Sequence, residues 1–330
     1  MKKQVRCDLA LEAKEMFSEG QPEDSEIPGV SVECEEIQGY IKVTRVHIRN
    51  GEGAQNLQKE QGRYITIEMP ARFYGQQTIY EEMCRTCSKE LRAITTPLLK
   101  EENDTVLVVG LGNWNITADA LGPKVIRSLM VTRHLKEYVP EEIDEGIRPV
   151  CAIAPGVLGI TGIETGEIVR GLVEKIKPKL VIAIDALCSR KTERINTTIQ
   201  IADTGITPGE GVGNKRRALN KETLGIPVVA IGVPTVVDAA TIANDCIDLI
   251  LHSLKNHAGE EKPLYKVLDT IEAEDKYSLI RGAIEPSLGN FIVAPKEVDT
   301  IIDDISKVIA NGINISLHEG IDLADVDRYV

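Results

Sequence analysis

Two segments constrain this chain more than anything else in it. One is Val108-Val-Gly-Leu-Gly-Asn-Trp-Asn-Ile-Thr-Ala-Asp119-Ala-Leu-Gly-Pro123; the other is Leu180-Val-Ile-Ala-Ile-Asp185-Ala-Leu-Cys-Ser-Arg190. Each reads as an apolar strand running into a turn that holds one acid, Asp119 or Asp185. In open parallel α/β sheets, reactive groups gather just beyond the carboxyl ends of the strands. Two aspartates delivered there by separate strands can share a proton, a water or a metal ion.

The rest of the pattern supports such a sheet. Apolar runs at 106–109, 149–154, 180–184 and 226–232 read as buried strands. Helical spacing separates them at 118–134, 164–177 and 237–254, with Thr117 placed to cap the first of these helices. Strands alternating with helices imply an α/β fold, a mostly parallel central sheet with helices on both faces. Segments 30–34, 40–48 and 63–69 alternate or run β-branched around a glycine-rich turn at 50–53, and read as a smaller antiparallel β subregion near the N-terminus. Residues 194–202 alternate like an antiparallel strand, 79–91 and 298–311 read as helices, and 290–293 as a strand. The first 30 residues are polar and end in a run rich in Glu, Asp, Pro and Gly, which reads as a loosely held arm followed by a linker.

Composition narrows the functional classes. The formal charge of −13, from 38 Lys and Arg against 51 Asp and Glu, argues against direct nucleic acid binding, which needs clustered cations. It is compatible with a basic protein as substrate. No apolar run reaches the roughly 18 residues that would suggest a membrane span, and residues 1–8 lack a secretory signal, so the chain is expected to stay inside the cell. Seven cysteines at irregular spacing suit a reducing compartment. Cys84 and Cys87 form a C-x-x-C pair without a second pair to complete a zinc site, and fit one buried helix face.

Several chemistries fail on the residues. Gly110-Leu-Gly112 starts a dinucleotide fingerprint, but Asn115 stands where its third glycine belongs, and Asp119 would repel a pyrophosphate. The loop Gly209-Glu-Gly-Val-Gly-Asn-Lys-Arg216 does not match a P-loop. There is no Gly-x-Ser-x-Gly elbow or His-Glu-x-x-His helix, and Cys188 reads as a small buried residue. Arg190, Lys191 and Arg194 read either as a solvated loop or as a group that steers an acidic substrate side chain. Asp119 alone is explained by a helix dipole and Asp185 alone by a turn cap. As a pair they suit divided acid and base roles: Asp185 protonated at the rim of a buried sheet, Asp119 held ionised at a helix N-terminus.

The motifs 110–123, Val131-Thr-Arg-His-Leu135, Pro155-Gly-Val-Leu-Gly-Ile-Thr-Gly-Ile-Glu-Thr165, 183–187, 211–216 and Gly232-Val-Pro-Thr-Val-Val-Asp238 closely resemble those of the spore germination proteases of endospore-forming bacteria. The resemblance implies an endopeptidase of the cytoplasm of the forespore and spore core. It would be made as a zymogen, form a homotetramer, and begin the degradation of small acid-soluble spore proteins at germination. The family's proposed catalytic carboxylates fall on Asp119 and Asp185, with Gly110, Gly112, Asn113 and Gly122 as the scaffold around them. Gly110-x-Gly-Asn113, Asp119 and Gly122 also look distantly like hydrogenase maturation proteases, in which acids at these two positions bind a metal together with a histidine. No histidine matches that place here. An atypical aspartic mechanism and a divalent ion held by Asp119 and Asp185 therefore stand as alternatives.

Family substrates are cut after an acid that precedes an apolar residue and an alanine, and Asp8-Leu9-Ala10-Leu11-Glu12 resembles that pattern. Cleavage between Asp8 and Leu9 is expected. The implied layout is a propeptide over 1–8, an arm and linker over 9–29, and one α/β peptidase domain over 30–330 that carries the antiparallel β insertion around 30–70.

Overall fold

The computed structural model describes residues 8–18, 26–70, 75–209, 216–258 and 279–329, apart from 285, 287, 288 and 290. Residues 1–7 of the expected propeptide, 19–25 of the linker, 210–215 of the second glycine-rich loop and 259–278 of the tail lie outside the described residues.

The scaffold is one mixed sheet. Its strands are β1 (Val30–Ile37), β2 (Ile41–Ile48), β3 (Gly62–Glu68), β4 (Val106–Gly110), β5 (Val150–Ile153), β6 (Leu180–Ser189), β7 (Thr198–Ala202), β8 (Val228–Asp238) and β9 (Ile292–Val293). They lie in the order β1-β2-β3-β7-β8-β6-β4-β5, with β9 beside the end of β8. Strands β8, β6, β4 and β5 pair in parallel and are the apolar runs that the sequence marks as fully buried. The antiparallel strands β1, β2 and β3 are not a separate layer: β3 pairs with β7 and β7 with β8, so they extend the same sheet.

Helices cover both faces, as expected. On one face Val106, Val108, Ile182, Ile184, Val229 and Ile231 pack against α3 (Gln77–Thr95), α4 (Leu121–Arg127) and the C-terminal α10 (Val298–Leu317). On the other, Leu107, Val109, Val181 and Ala183 meet α7 (Thr165–Ile176) and α8 (Lys221–Leu224). Toward the antiparallel end, that second face is covered by α1 (Ala10–Ser18) and α2 (Gly51–Leu57), over Val46, Ile48, Tyr64 and Ala202. No described helix is long and apolar enough to cross a membrane.

Two local readings change. The glycine-rich segment 50–53 is not a turn but the start of α2: the Asn50 side chain accepts from the Gly53 amide at 3.0 Å, and any side chain on Gly53 would strike the Gly29 carbonyl. The antiparallel run 194–202 is a strand only from Thr198, because Asn196 adopts a left-handed φ of 58° that breaks the extension.

Cys84 and Cys87 are fully buried on α3, facing α10. Burial pushes the Cys87 thiol up, and a side chain on Gly312 of α10 would come within 2.7 Å of its sulfur. Gly312→Ala is expected to destabilise the protein by about 1–3 kcal/mol through this overpacking, whereas Lys307→Ala on the exposed side of α10 changes stability by no more than about 0.5 kcal/mol. Thermal unfolding of the two variants reads the difference.

Candidate active site

Strand β4 stops at Gly110, whereas its neighbour β6 runs on to Ser189 and β8 to Asp238. The chain leaves β4 toward β5 on one side and leaves β6 toward β8 on the other, so the crevice between β4 and β6 is a topological switch point. Leu111 still donates to the Ile184 carbonyl at 2.8 Å, and the chain then turns away. Asp185 is the next residue of β6.

The turn that carries Asp119 is fixed by close backbone packing. A Cβ on Gly110 would lie 2.3 Å from the Gly122 carbonyl oxygen, and one on Gly122 would lie 2.3 Å from that of Leu111. Gly112 has φ +113° and sits so tightly under Asp119 that a Cβ there would be 2.0 Å from the Asp119 carbonyl oxygen. The Asn113 amide donates to that same oxygen at 3.0 Å, and the Thr235 hydroxyl of β8 donates to the Ala118 carbonyl at 2.6 Å. Gly110, Gly112, Asn113 and Gly122 thus hold the loop that presents Asp119. The continuous helix expected over 118–134 is absent. Asp119 ends a 3-10 turn (Thr117–Asp119), α4 begins only at Leu121, and Thr117 makes no capping bond. The helix breaks again before α5 (Arg133–Tyr138), where the Thr132 hydroxyl donates to Arg148 and accepts from Val150, tying the break to β5.

Asp185 lies inside β6 rather than in a turn after it, opposite Gly232 of β8, and is 6% exposed. Burial and then the nearby Asp119 charge push its carboxyl well above the usual range, although its Oδ1 accepts from the Ala186 amide at 3.0 Å. Burial also pushes Asp119 up, to about 6, against a hydrogen bond from the Asn113 backbone. Asp185 thus carries both the deeper burial and the added charge of its neighbour, whereas Asp119, expected to be held ionised, is itself raised out of the ordinary carboxylate range. The reason is local: Asp119 closes a 3-10 turn ahead of α4 and is desolvated there. Two neighbouring carboxyls raised to different extents by their surroundings are an arrangement suited to dividing acid and base roles.

The N-terminal segment is not a loose arm. Leu9 and Ala10 are fully buried. The Asp8 carboxylate accepts from the Cys188 amide at 3.0 Å, three residues along β6 from Asp185, and its charge contributes to the raised Asp185 pKa. The Asp8 carbonyl accepts from Lys59 Nζ at 3.0 Å and from Gln200 Nε2 at 3.3 Å, while Gln200 Oε1 accepts from the Ala10 amide at 2.6 Å. Glu12, 1% exposed, accepts from the Ser189 hydroxyl and from the Arg190 and Lys191 amides at 3.1 to 3.2 Å. Arg194 is buried against Glu12, Glu15 and Glu68, and Lys191 pairs with Glu15 at 2.8 Å. The basic group after Asp185 is thus no solvated loop: it grips acidic side chains of the chain's own N-terminal segment. Burial and the Asp8 charge push the Cys188 thiol up to about 12, which keeps it from acting as a nucleophile.

Among the described residues, no group of three or more His, Cys, Asp or Glu side chains is arranged to hold a metal ion. A resident zinc needs at least three protein ligands, and two carboxyls do not meet that requirement.

The profile of the germination protease family matches residues 10–270 and 256–330. This chain belongs to the germination protease family. Germination proteases similar to it include those of Clostridium tetani, 53% identical over 327 residues and 99% of both chains, and Clostridium acetobutylicum, 51% identical over the same length and coverage. That of Bacillus subtilis strain 168 is 42% identical over 356 residues, covering 98% of this chain and 96% of the relative. A solved NiFe hydrogenase maturation protease from Thermococcus kodakarensis KOD1 overlaps 43% of this chain and 80% of its own, at 24% identity and a TM-score of 0.27, too slight a likeness to bear on fold or mechanism. In this germination protease the carboxyl pair picked out in the sequence comes together, whereas Lys59 and Gln200 carry no motif. The one sequence signal for Gln200 is an amide among apolar neighbours in a buried strand.

A buried carboxyl with a raised pKa adds stability when protonated and loses it as pH rises through the folded pKa. Above that range the ionised group is a cost that a neutral amide removes. Asp185→Asn is expected to raise stability at pH 8 by on the order of 1–3 kcal/mol, and to raise it much less at pH 4, as measured by thermal unfolding at the two pH values.

Proposed function

We propose that this protease is made as a zymogen, removes its own first eight residues by cutting between Asp8 and Leu9, and then begins the degradation of small acid-soluble spore proteins during germination. The observation that carries this reading is the place of the N-terminal segment. Asp8 lies close enough to Asp185 for its charge to be felt there, its carboxylate bonds the Cys188 amide, and the residues after it are anchored by Gln200, the 189–191 backbone and Arg194. A peptide held over an acid and base pair is what a hydrolytic site requires.

In the proposed mechanism Asp119 and Asp185 share one proton. The ionised carboxylate takes a proton from a water molecule, which attacks the scissile carbonyl, while the protonated partner donates toward the developing charge or the leaving nitrogen. Asp119 is the base and Asp185 the acid, following the order in which burial raises them. The pair titrates as a unit, so the rates report its combined protonation states.

The surroundings suit a protein substrate. Trp114 and Ile116 are about half exposed on the loop after β4, and Ile160 and Ile163 are exposed after β5, so both loops leaving the carboxyl ends of these neighbouring strands offer apolar surface. Exposed Leu249 and Ile250 on α9 (Ala239–Ala258), with Phe291 and Ile292 at the start of β9, support assembly into a homotetramer. The proposed setting is the cytoplasm of the forespore and spore core.

Purified full-length protein is expected to lose residues 1–8 and yield a chain beginning at Leu9, as read by N-terminal sequencing. Asp119→Asn and Asp185→Asn are expected to keep Met1. The processing rate should rise with pH through about 6 as Asp119 ionises and fall at higher pH as Asp185 loses its proton. A rate that increases steadily into the alkaline range, or an Asp119→Asn chain that processes normally, would remove the paired-carboxyl mechanism.

A further inference from the structure

The pair does not act alone on the segment it faces. On β7, Gln200 is registered with Gly232 of β8, and Gly232 with Asp185 of β6, so Gln200 and Asp185 stand on one rung of the sheet with a single strand between them. Side chains of directly paired residues project from the same face, and two strand spacings separate these backbones by roughly 10 Å. Residues 8–10 lie on this face. Gln200 holds that backbone twice: its carbonyl accepts from the Ala10 amide at 2.6 Å, and its amide nitrogen donates to the Asp8 carbonyl at 3.3 Å.

The second donor comes from elsewhere in the chain. Helix α2 ends at Gln58, whose left-handed φ of 53° turns the backbone away from the helix, and Lys59 follows immediately. Its Nζ reaches the same Asp8 carbonyl oxygen at 3.0 Å. Two donors from two elements thus converge on one backbone oxygen, and that oxygen belongs to the Asp8–Leu9 peptide bond.

We infer that Lys59 and Gln200 form the oxyanion site of this enzyme, stabilising the negative charge that develops on the carbonyl oxygen of the residue before the cut. The inference rests on the proposed cleavage between Asp8 and Leu9. As water attacks, a new C–O bond forms at the Asp8 carbonyl carbon, one water proton passes to the ionised carboxylate, and the C=O electron pair moves onto the oxygen. Lys59 Nζ, a cation, and Gln200 Nε2 already point at that atom. On collapse the C–N bond breaks, the nitrogen of Leu9 takes a proton from the carboxyl pair, and the products are an Asp8 carboxyl and a Leu9 amine. Donors set in advance where charge appears reduce the barrier more than donors that must reorient. Gln200 also aligns the chain beyond the cut through Ala10, so it serves binding and chemistry together, whereas Lys59 serves the carbonyl.

The test is self-processing of the full chain under single-turnover conditions, with products identified by mass spectrometry and folding checked by thermal unfolding. Lys59→Met is expected to slow cleavage by about 10²–10³-fold without moving the cleaved bond, and Lys59→Arg to recover most of the rate, because it restores a cationic donor. Gln200→Met is expected to slow cleavage at least as much. Lys59 is only partly buried, so its loss leaves the fold in place; should one variant fail to fold, the other decides. Wild-type protein cut at a bond other than Asp8–Leu9 would overturn the reading on which the inference rests. Wild-type protein cut at Asp8–Leu9, together with a folded Lys59→Met or Gln200→Met chain cut at the wild-type rate, would overturn the oxyanion site alone.

Discussion

The site depends on a difference in strand length. β4 ends at Gly110 because its backbone must turn under Gly122, while β6 and β8 continue past it as paired, buried strands. That mismatch opens one wall of a sheet that is otherwise closed. It leaves Asp185 inside a strand, desolvated on a hydrophobic scaffold, yet facing the gap from which Asp119 descends. If β4 ran one residue further, the site would be filled by a strand. If β6 stopped where β4 does, Asp185 would enter solvent and titrate as an ordinary acid.

Burial of two acids so close together costs stability, and the fold accepts it through contacts formed elsewhere. The Thr235 hydroxyl on Ala118, the Asn113 amide on the Asp119 carbonyl and the interlocked glycines fix the loop. Among the described residues, the bonds to the carboxyl groups come from the Asn113 backbone for Asp119 and the Ala186 amide for Asp185. A carboxylate given two or three donors would be held ionised. With so few, burial raises both carboxyls, which is what the proposed sharing of a proton requires. The N-terminal segment follows a different rule. Glu12 and Glu15 are met by three backbone or hydroxyl donors and two cations, so the segment is held by its acids, and the Asp8–Leu9 peptide is kept beside Gln200 on the rung of Asp185.

Much of this was legible from residues alone. Runs such as Leu180–Ile184 can be little other than buried strands, and an acid immediately after one is conspicuous. The same logic placed the cover of both faces, while the family resemblance marked the glycines around Asp119. What sequence could not reveal depends on contacts distant along the chain. The 3-10 turn at Asp119 replaces a helix because Gly122 must press on Gly110. β6 continues through Asp185 because β8 pairs with it as far as Val237. The N-terminal segment looks like a frayed polar arm until the sheet beneath it supplies Gln200 and Arg194, which lie near position 200 but meet residues near position 10. Lys59 is a lone lysine after a short helix; only the left-handed Gln58 and the position of Asp8 give it a partner.

The central claim is that the two aspartates share a proton at neutral pH. Infrared difference spectroscopy of the carboxyl C=O region measures this directly. At pH 7 the wild-type protein should show a protonated-carboxyl band that disappears in Asp185→Asn. A wild-type spectrum without that band, both groups ionised, would contradict the account.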